Sequence, residues 1–149
     1  DYIKQVHILL FFRIFYGDFS IKKFKRYLKR VNTRRIDYRS KIIFLLESRL
    51  DILLYRLNLS KNPRESRNFI KGKKILINNL LITKLNHQLY INDVISLHTK
   101  YKKFFYRRLF IRLQKGQILF NYPKYLETNY KLLKCIFILY PKKKEIPSI

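Results

Sequence analysis

Alanine, methionine and tryptophan are absent from this 149-residue chain, cysteine occurs once, glycine three times, and acidic side chains only nine times. The lone Cys135 excludes an internal disulfide and a cysteine-based zinc cluster, and it fits a reduced or intracellular setting. His7, His87 and His98 show neither metal-ligand spacing nor a nucleophile beside them, so neither a metal nor a cofactor is expected. Gly17, Gly72 and Gly116 are isolated, which leaves no Gly-rich phosphate loop. No run reaches the roughly 18 uninterrupted apolar residues of a membrane-spanning helix. No internal repeat is visible.

The shortage of acids has the larger consequence. Lys and Arg total 34 against 9 acidic residues, a formal net charge of +25, and a compact domain with that charge repels itself unless a polyanion lies close by. The 48% hydrophobic content is enough for a core and excludes disorder throughout. Abundant Ile, Leu, Lys, Asn, Tyr and Phe beside absent Ala reads as the product of A+T-rich codons, a habit of organellar genomes. The first residue is Asp1 rather than Met, so the true N-terminus is expected upstream. Nothing in these residues resembles a signal or transit peptide.

The chain is organised around residues 46–98, which read as two short helices, a tight hairpin and a closing strand. Asn62-Pro63-Arg64-Glu65 sets Asn at an N-cap, Pro at the first helical position and Glu at the third. Gly72 is the expected left-handed terminator of that helix. Arg64, Arg67, Asn68 and Lys71 recur at three- and four-residue spacing on one face, while Ser66, Phe69 and Ile70 lie toward the other. Asn78-Asn79, between two aliphatic triplets, predicts a type I′ turn, and Asn92-Asp93 introduces a strand over 94–97. The preceding helix, with Ser40 as its N-cap, carries an apolar stripe of Ile43, Leu46, Leu50, Leu53, Leu54 and Leu57. Arg49, Asp51 and Arg56 fall off that stripe, and Arg49 has two open roles: reaching RNA or pairing with Asp51.

Around this centre, residues 2–16 form a dense apolar and aromatic stretch, expected as a buried or interface helix. Ile21, Phe24, Leu28 and Val31 then define an amphipathic helix whose other faces carry Lys22, Lys23, Lys25, Arg26, Lys29 and Arg30, with Arg34 and Arg35 extending the charge. Such a helix also suits an anionic membrane surface or an acidic partner, but that reading leaves the capped helix and the hairpin unexplained. Over 99–115, Tyr101, Phe105, Leu109 and Leu113 can share a helix face, with Lys102, Arg108 and Arg112 outside it. The Phe residues are expected to pack and the cations to meet phosphates. Tyr125-Leu126-Glu127 and the run 132–140 suggest strands, followed by a basic tail.

The pattern L-E-x-R-L-D at 46–51, Tyr55-Arg56, R-E-S-R at 64–67, Ile70, I-L-I-N at 75–78 and N-D-V-I-S at 92–96 resembles the RNA-binding module of small-subunit ribosomal protein four. Phe15-Tyr16-Gly17 with the basic helix after it, and Pro123-x-Tyr125-Leu126-Glu127, resemble the flanks of that family. The resemblance implies an α+β fold in three parts: a helical part over 1–45, the RNA-binding module with its small antiparallel sheet over 46–98, and a basic helix with closing strands over 99–149. It implies a binder of small-subunit ribosomal RNA at a junction in the 5′ domain, near the mRNA entry path. Its partners would be neighbouring small-subunit proteins and mRNA at that path, with no membrane and no homo-oligomer. By carry-over, Arg64, Arg67, Asn68 and Lys71 match the helix that faces RNA, Arg49 and Arg56 match cations before it, and Lys73-Lys74 match the entry to the hairpin. Lys22, Lys23, Arg26, Arg30, Arg34 and Arg35 complete the expected RNA-binding set. Asn79 stands where the family's hairpin usually has Gly, and the bacterial N-terminal segment with its occasional cysteine cluster is missing. The codon bias and the run 126–131 look more like mitochondrial members than plastid ones.

The same module is appended to pseudouridine synthases and tyrosyl-tRNA synthetases, which is the enzyme alternative. Each of those needs a further catalytic domain, whereas these flanks are short and basic. Asp37, Asp51 and Asp93 have blander roles as loop turn, helix surface and turn cap, so no catalytic residue is expected.

Overall fold

The computed structural model describes residues 44–118, 123–139 and 141, together with Leu10, Tyr16, Gly17, Lys22, Arg26 and Lys29. The expectations for Ser40, Lys23, Arg30, Arg34, Arg35 and the basic tail lie outside the described residues. The architecture is α+β: α1 (Leu50–Arg56), α2 (Pro63–Lys71), β1 (Ile75–Ile77), β2 (Leu80–Leu81), β3 (Val94–Leu97), a 3-10 turn (Thr99–Tyr101), α3 (Lys102–Gln114), β4 (Leu126–Asn129) and β5 (Lys134–Phe137).

The five strands form one antiparallel sheet in the order β2-β1-β3-β5-β4. β3 therefore does not close the sheet as the sequence suggests; it lies at its centre, pairing Leu76 with Ser96 on one side and Ile95 with Cys135 on the other. Alternation along β5 buries Cys135 and Phe137 and exposes Lys134 and Ile136, as a one-sided sheet requires. Leu53, Leu54, Phe69, Ile70, Ile75 and Phe105 bring α1, α2, the sheet and α3 into one core.

Local chemistry places the turns. Asn78 and Asn79 both adopt positive φ, 49° and 66°, which Asn tolerates and a type I′ turn demands. The Asn78 side chain also ties this turn to the start of β3, donating to Asp93 Oδ1 at 2.9 Å and accepting from the Val94 amide at 2.9 Å. At the end of α2, Gly72 is not left-handed; its φ is −73° and the left-handed residue is Lys73, at φ 54°. The Lys73 and Lys74 amides donate to the Ile70 and Phe69 carbonyls, both at 3.1 Å, which is the Schellman pattern set one residue later than the glycine suggested.

The helix expected from Ser40 onward is interrupted within the described residues. Residues 44–47 are helical, Arg49 is extended (φ −73°, ψ 134°), and α1 restarts at Leu50. The cause is a distant segment: the Leu50 amide donates to His87 at 3.0 Å and the Leu89 amide to Ser48 at 2.8 Å, so the backbone at 48–50 pairs sideways instead of continuing its helix.

Candidate nucleic-acid interface

Two buried carboxylates draw several cations inward. Glu47 is fully buried, and four donors converge on it. Tyr16 donates to Oε1 at 2.8 Å, Tyr125 to Oε2 at 2.8 Å, and Arg56 supplies Nη2 at 3.0 Å and Nε at 3.3 Å. The network ties a residue of the N-terminal part to α1 and to the segment before β4. Burial lowers the acidity of both phenols, reinforced by the negative Glu47 beside them. For Arg56, burial works against the charged form, but the Glu47 hydrogen bond and charge outweigh it and hold the guanidinium protonated.

Asp51 is equally buried and holds two arginines: Arg49 through Nε at 3.1 Å and Nη2 at 2.6 Å, and Arg67 through Nε at 2.8 Å. Of the two roles open to Arg49, the structure shows the pairing with Asp51; Arg56, carried over as a cation toward RNA, is instead paired with Glu47 in the core, and the two arginines are 1% and 4% exposed. Asp51 is no longer a helix-surface residue; it clamps α1 to α2. Arg67 is intermediate, 13% exposed and paired to Asp51.

The outward face of α2 and its exit keeps the charge that is left. Asn62 Oδ1 accepts from the Glu65 amide at 2.8 Å, and Glu65 returns to the Lys61 amide at 2.7 Å, so a reciprocal cap sets the first turn. That start rotates Ser66, Phe69 and Ile70 inward and leaves Arg64, Asn68 and Lys71 exposed. Lys73 is exposed at the helix exit and Lys74 is half-buried beside it. Lys22, Arg26 and Lys29 are helical and exposed, three positions along one cationic face. Gly17 has φ +58°, and a Cβ there would meet Pro63 Cβ at 2.9 Å, so the turn after Tyr16 sits against the start of α2.

On α3 the expected division fails in part. Phe105 and Leu109 are buried, but Leu113 is 52% exposed and Arg112 takes the inward position instead. The Arg112 guanidinium donates to the carbonyls of Asn58 (2.5 Å), Ser60 (3.0 Å) and Gln117 (3.1 Å), fastening the loop between α1 and α2. Burial depresses its pKa, and Arg108 adds to the effect. Arg108 itself pairs with Glu65 across the α2–α3 contact. Phe104 and Phe110 stay exposed, contrary to the expectation that the Phe residues pack. Lys61, Lys103 and Arg107 are exposed cations that the sequence reading did not single out. A signal for the last two existed: no acidic residue stands between Asp93 and Glu127.

Among the described residues, no cluster of three or more His, Cys, Asp or Glu side chains could hold a metal ion. No helix among them is long and apolar enough to cross a membrane.

The S4 domain model matches residues 48–95. Small ribosomal subunit protein uS4m of Marchantia polymorpha is 30% identical over 147 residues, covering 99% of this chain and 74% of that protein. The chain belongs to the uS4 family of small ribosomal subunit proteins. Small ribosomal subunit protein uS4 of Vesicomyosocius okutanii subsp. Calyptogena okutanii is 32% identical, covering 85% of this chain and 60% of that protein. Small ribosomal subunit protein uS4m of Acanthamoeba castellanii is 28% identical, covering 94% of this chain and 36% of that protein. The chain thus spans about three quarters of the Marchantia relative and about three fifths of the bacterial uS4 protein. These uS4 relatives carry the names of ribosomal proteins, not of enzymes.

Proposed function

We propose that this chain is a structural protein of the small subunit of the mitochondrial ribosome. In this reading it binds small-subunit ribosomal RNA at a junction of the 5′ domain near the mRNA entry path, and it supports subunit assembly and translation. One observation carries the reading: the buried carboxylates take up Arg49, Arg56 and Arg67, while Arg64, Asn68, Lys71 and Lys73 remain on the open face of a capped helix inside the S4 domain. A rigid helix pair presenting cations at fixed spacing selects an RNA shape, because RNA helices are read through backbone and minor-groove geometry more than through base edges. Counterion release supplies the affinity, with a salt slope of about −0.7 to −0.9 per neutralised phosphate. Lys22, Lys23, Arg26, Arg30, Arg34 and Arg35 extend the contact from the N-terminal side. The mitochondrial assignment draws on the uS4m relatives and on the A+T-rich composition.

Ultraviolet crosslinking in cells, followed by sequencing of the attached RNA, tests the proposal. Reads concentrated at one junction of mitochondrial small-subunit ribosomal RNA are expected. Reads spread over transfer or messenger RNAs would overturn the ribosomal role and favour an RNA-modifying or regulatory factor. Reads concentrated on another compartment's ribosomal RNA would overturn the location alone.

A further inference from the structure

Phe104 opens the first turn of α3 with 41% of its surface exposed. A lone exposed apolar side chain is ordinary, but this ring is fixed and surrounded by charge. It meets Phe69 edge-on at 6.3 Å and 86°, and Phe105 at 5.4 Å and 84°, both of which are buried. The Lys74 ammonium lies 4.9 Å from its centroid and the Arg108 guanidinium 5.4 Å. The two cations differ in one respect. Arg108 is neutralised by Glu65, whereas no carboxylate among the described residues lies within ion-pair distance of Lys74. Lys74 is held instead over three rings, Phe69 at 5.3 Å, Tyr101 at 5.1 Å and Phe104 at 4.9 Å. Ring faces orient an ammonium but do not cancel its charge. Among the described residues no anion offsets it.

We propose that Phe104 and Lys74 form a subsite for one unpaired nucleotide of the bound RNA, its base stacked on the Phe104 ring and its phosphate on the Lys74 ammonium. The proposal rests on the RNA-binding reading above and adds a non-electrostatic contact to it. Charge decides between a nucleotide and an apolar protein side chain as occupant. Lys71, Lys73, Lys100, Lys103 and Arg107 are exposed around α2 and α3, and no acid stands between Asp93 and Glu127. A nucleotide brings a π-face and a negative charge in a single unit, and base stacking on an aromatic side chain tolerates any sequence.

The chain contains no tryptophan, so Phe104→Trp creates a single tryptophan whose emission is read selectively. The full chain is titrated with a transcript of the small-subunit 5′ domain. Emission from Phe104→Trp should be quenched on binding, and emission from Phe110→Trp, elsewhere on the same helix, should not. Phe104→Leu should weaken binding about tenfold with an unchanged salt slope, whereas Lys74→Gln should make the slope shallower by about 0.7 to 0.9. Absence of binding by the unaltered chain would overturn the RNA-binding reading itself. Binding of the Phe104→Trp protein without quenching, or full affinity in a folded Phe104→Leu protein, would overturn the subsite alone. An unquenched reporter whose emission shifts on adding small-subunit proteins would assign this face to a protein and overturn the subsite too. Should Phe104→Leu fail to fold by circular dichroism, the quenching experiment still decides.

Discussion

α1 and α2 are adjacent and similar in length, and each has cations at both ends, yet those end cations take opposite places. Arg49 and Arg56, at the two ends of α1, turn inward onto Asp51 and Glu47; Arg64 and Lys71, at the two ends of α2, stay at the surface. Two buried carboxylates draw the α1 pair inward. In a chain with nine acids, each buried acid converts nearby arginines from ligand-facing to structural, because an ion inside a core is tolerated only when paired and hydrogen-bonded. What stays exposed is the surface available to a polyanion.

The largest test removes the α1 side of that contrast. Glu47→Gln leaves Arg56 without its charge partner and weakens two tyrosine hydrogen bonds, so a loss of about 3 kcal/mol is expected in denaturant unfolding. RNA affinity of the protein that remains folded should hardly change. A large loss of affinity at unchanged stability would place Glu47 in binding and erase the distinction.

Alkaline pH attacks the same network without mutation. Tyr16 and Tyr125 are held neutral by burial and by Glu47, and burial pushes the Cys135 thiol up to about 12. In each case the folded pKa exceeds the unfolded one, near 8.5 for Cys and 10 for Tyr. Their contribution is therefore complete below those values and is lost as pH rises, because the unfolded chain sheds the protons first. Stability should fall from about pH 9 onward, by up to about 1.4 kcal/mol per pH unit for each group engaged. Urea midpoints flat to pH 11 would contradict the buried network.

The α2 side is tested by charge alone. Lys71→Gln with Lys73→Gln should reduce the salt slope of ribosomal RNA binding by about 1.4 to 1.8, the sum for two phosphates, with melting temperature nearly unchanged. Arg49→Gln should do the reverse, lowering the melting temperature and sparing the slope. Interchanged results would mean that burial does not separate structural from ligand-facing cations here.

The legible features were those set by neighbouring residues. Asn62-Pro63-Arg64-Glu65 announces a helix start, and Asn78-Asn79 a turn, since the atoms that stabilise each lie within a few positions. The break at Ser48–Arg49 was not legible, because its cause is a backbone pairing with residues 87–89. The burial of Arg49, Asp51 and Arg56 escaped for a related reason. An apolar-stripe argument assigns charged positions to solvent, and the partner that reverses this for Arg56 is itself held by Tyr16 and Tyr125, 31 and 78 residues from Glu47. Arg112 in place of Leu113 is the same error at one-residue scale: two carbonyls of a distant loop, Asn58 and Ser60, with the nearby Gln117 carbonyl, decide which side chain turns inward.

At Lys73 the two kinds of role meet. It carries an exposed cation beside the face of α2 proposed to meet RNA, and it also occupies the left-handed position that ends the helix, at φ 54°. A lysine there is strained by roughly 1 to 2 kcal/mol relative to a residue without a Cβ, and part of what glycine gains is returned as greater freedom in the unfolded chain. Lys73→Gly should therefore stabilise the free protein by about 1 kcal/mol, while Lys73→Gln, which keeps the Cβ, should not. Both remove the same charge, so both should lose RNA affinity equally and make the salt slope shallower by about 0.7 to 0.9. Paired thermal melts and salt titrations of the two variants separate the strain from the charge. Equal melting temperatures would show that the left-handed turn costs nothing, and unequal affinities would show that backbone geometry at the helix exit, and not only its cation, takes part in binding.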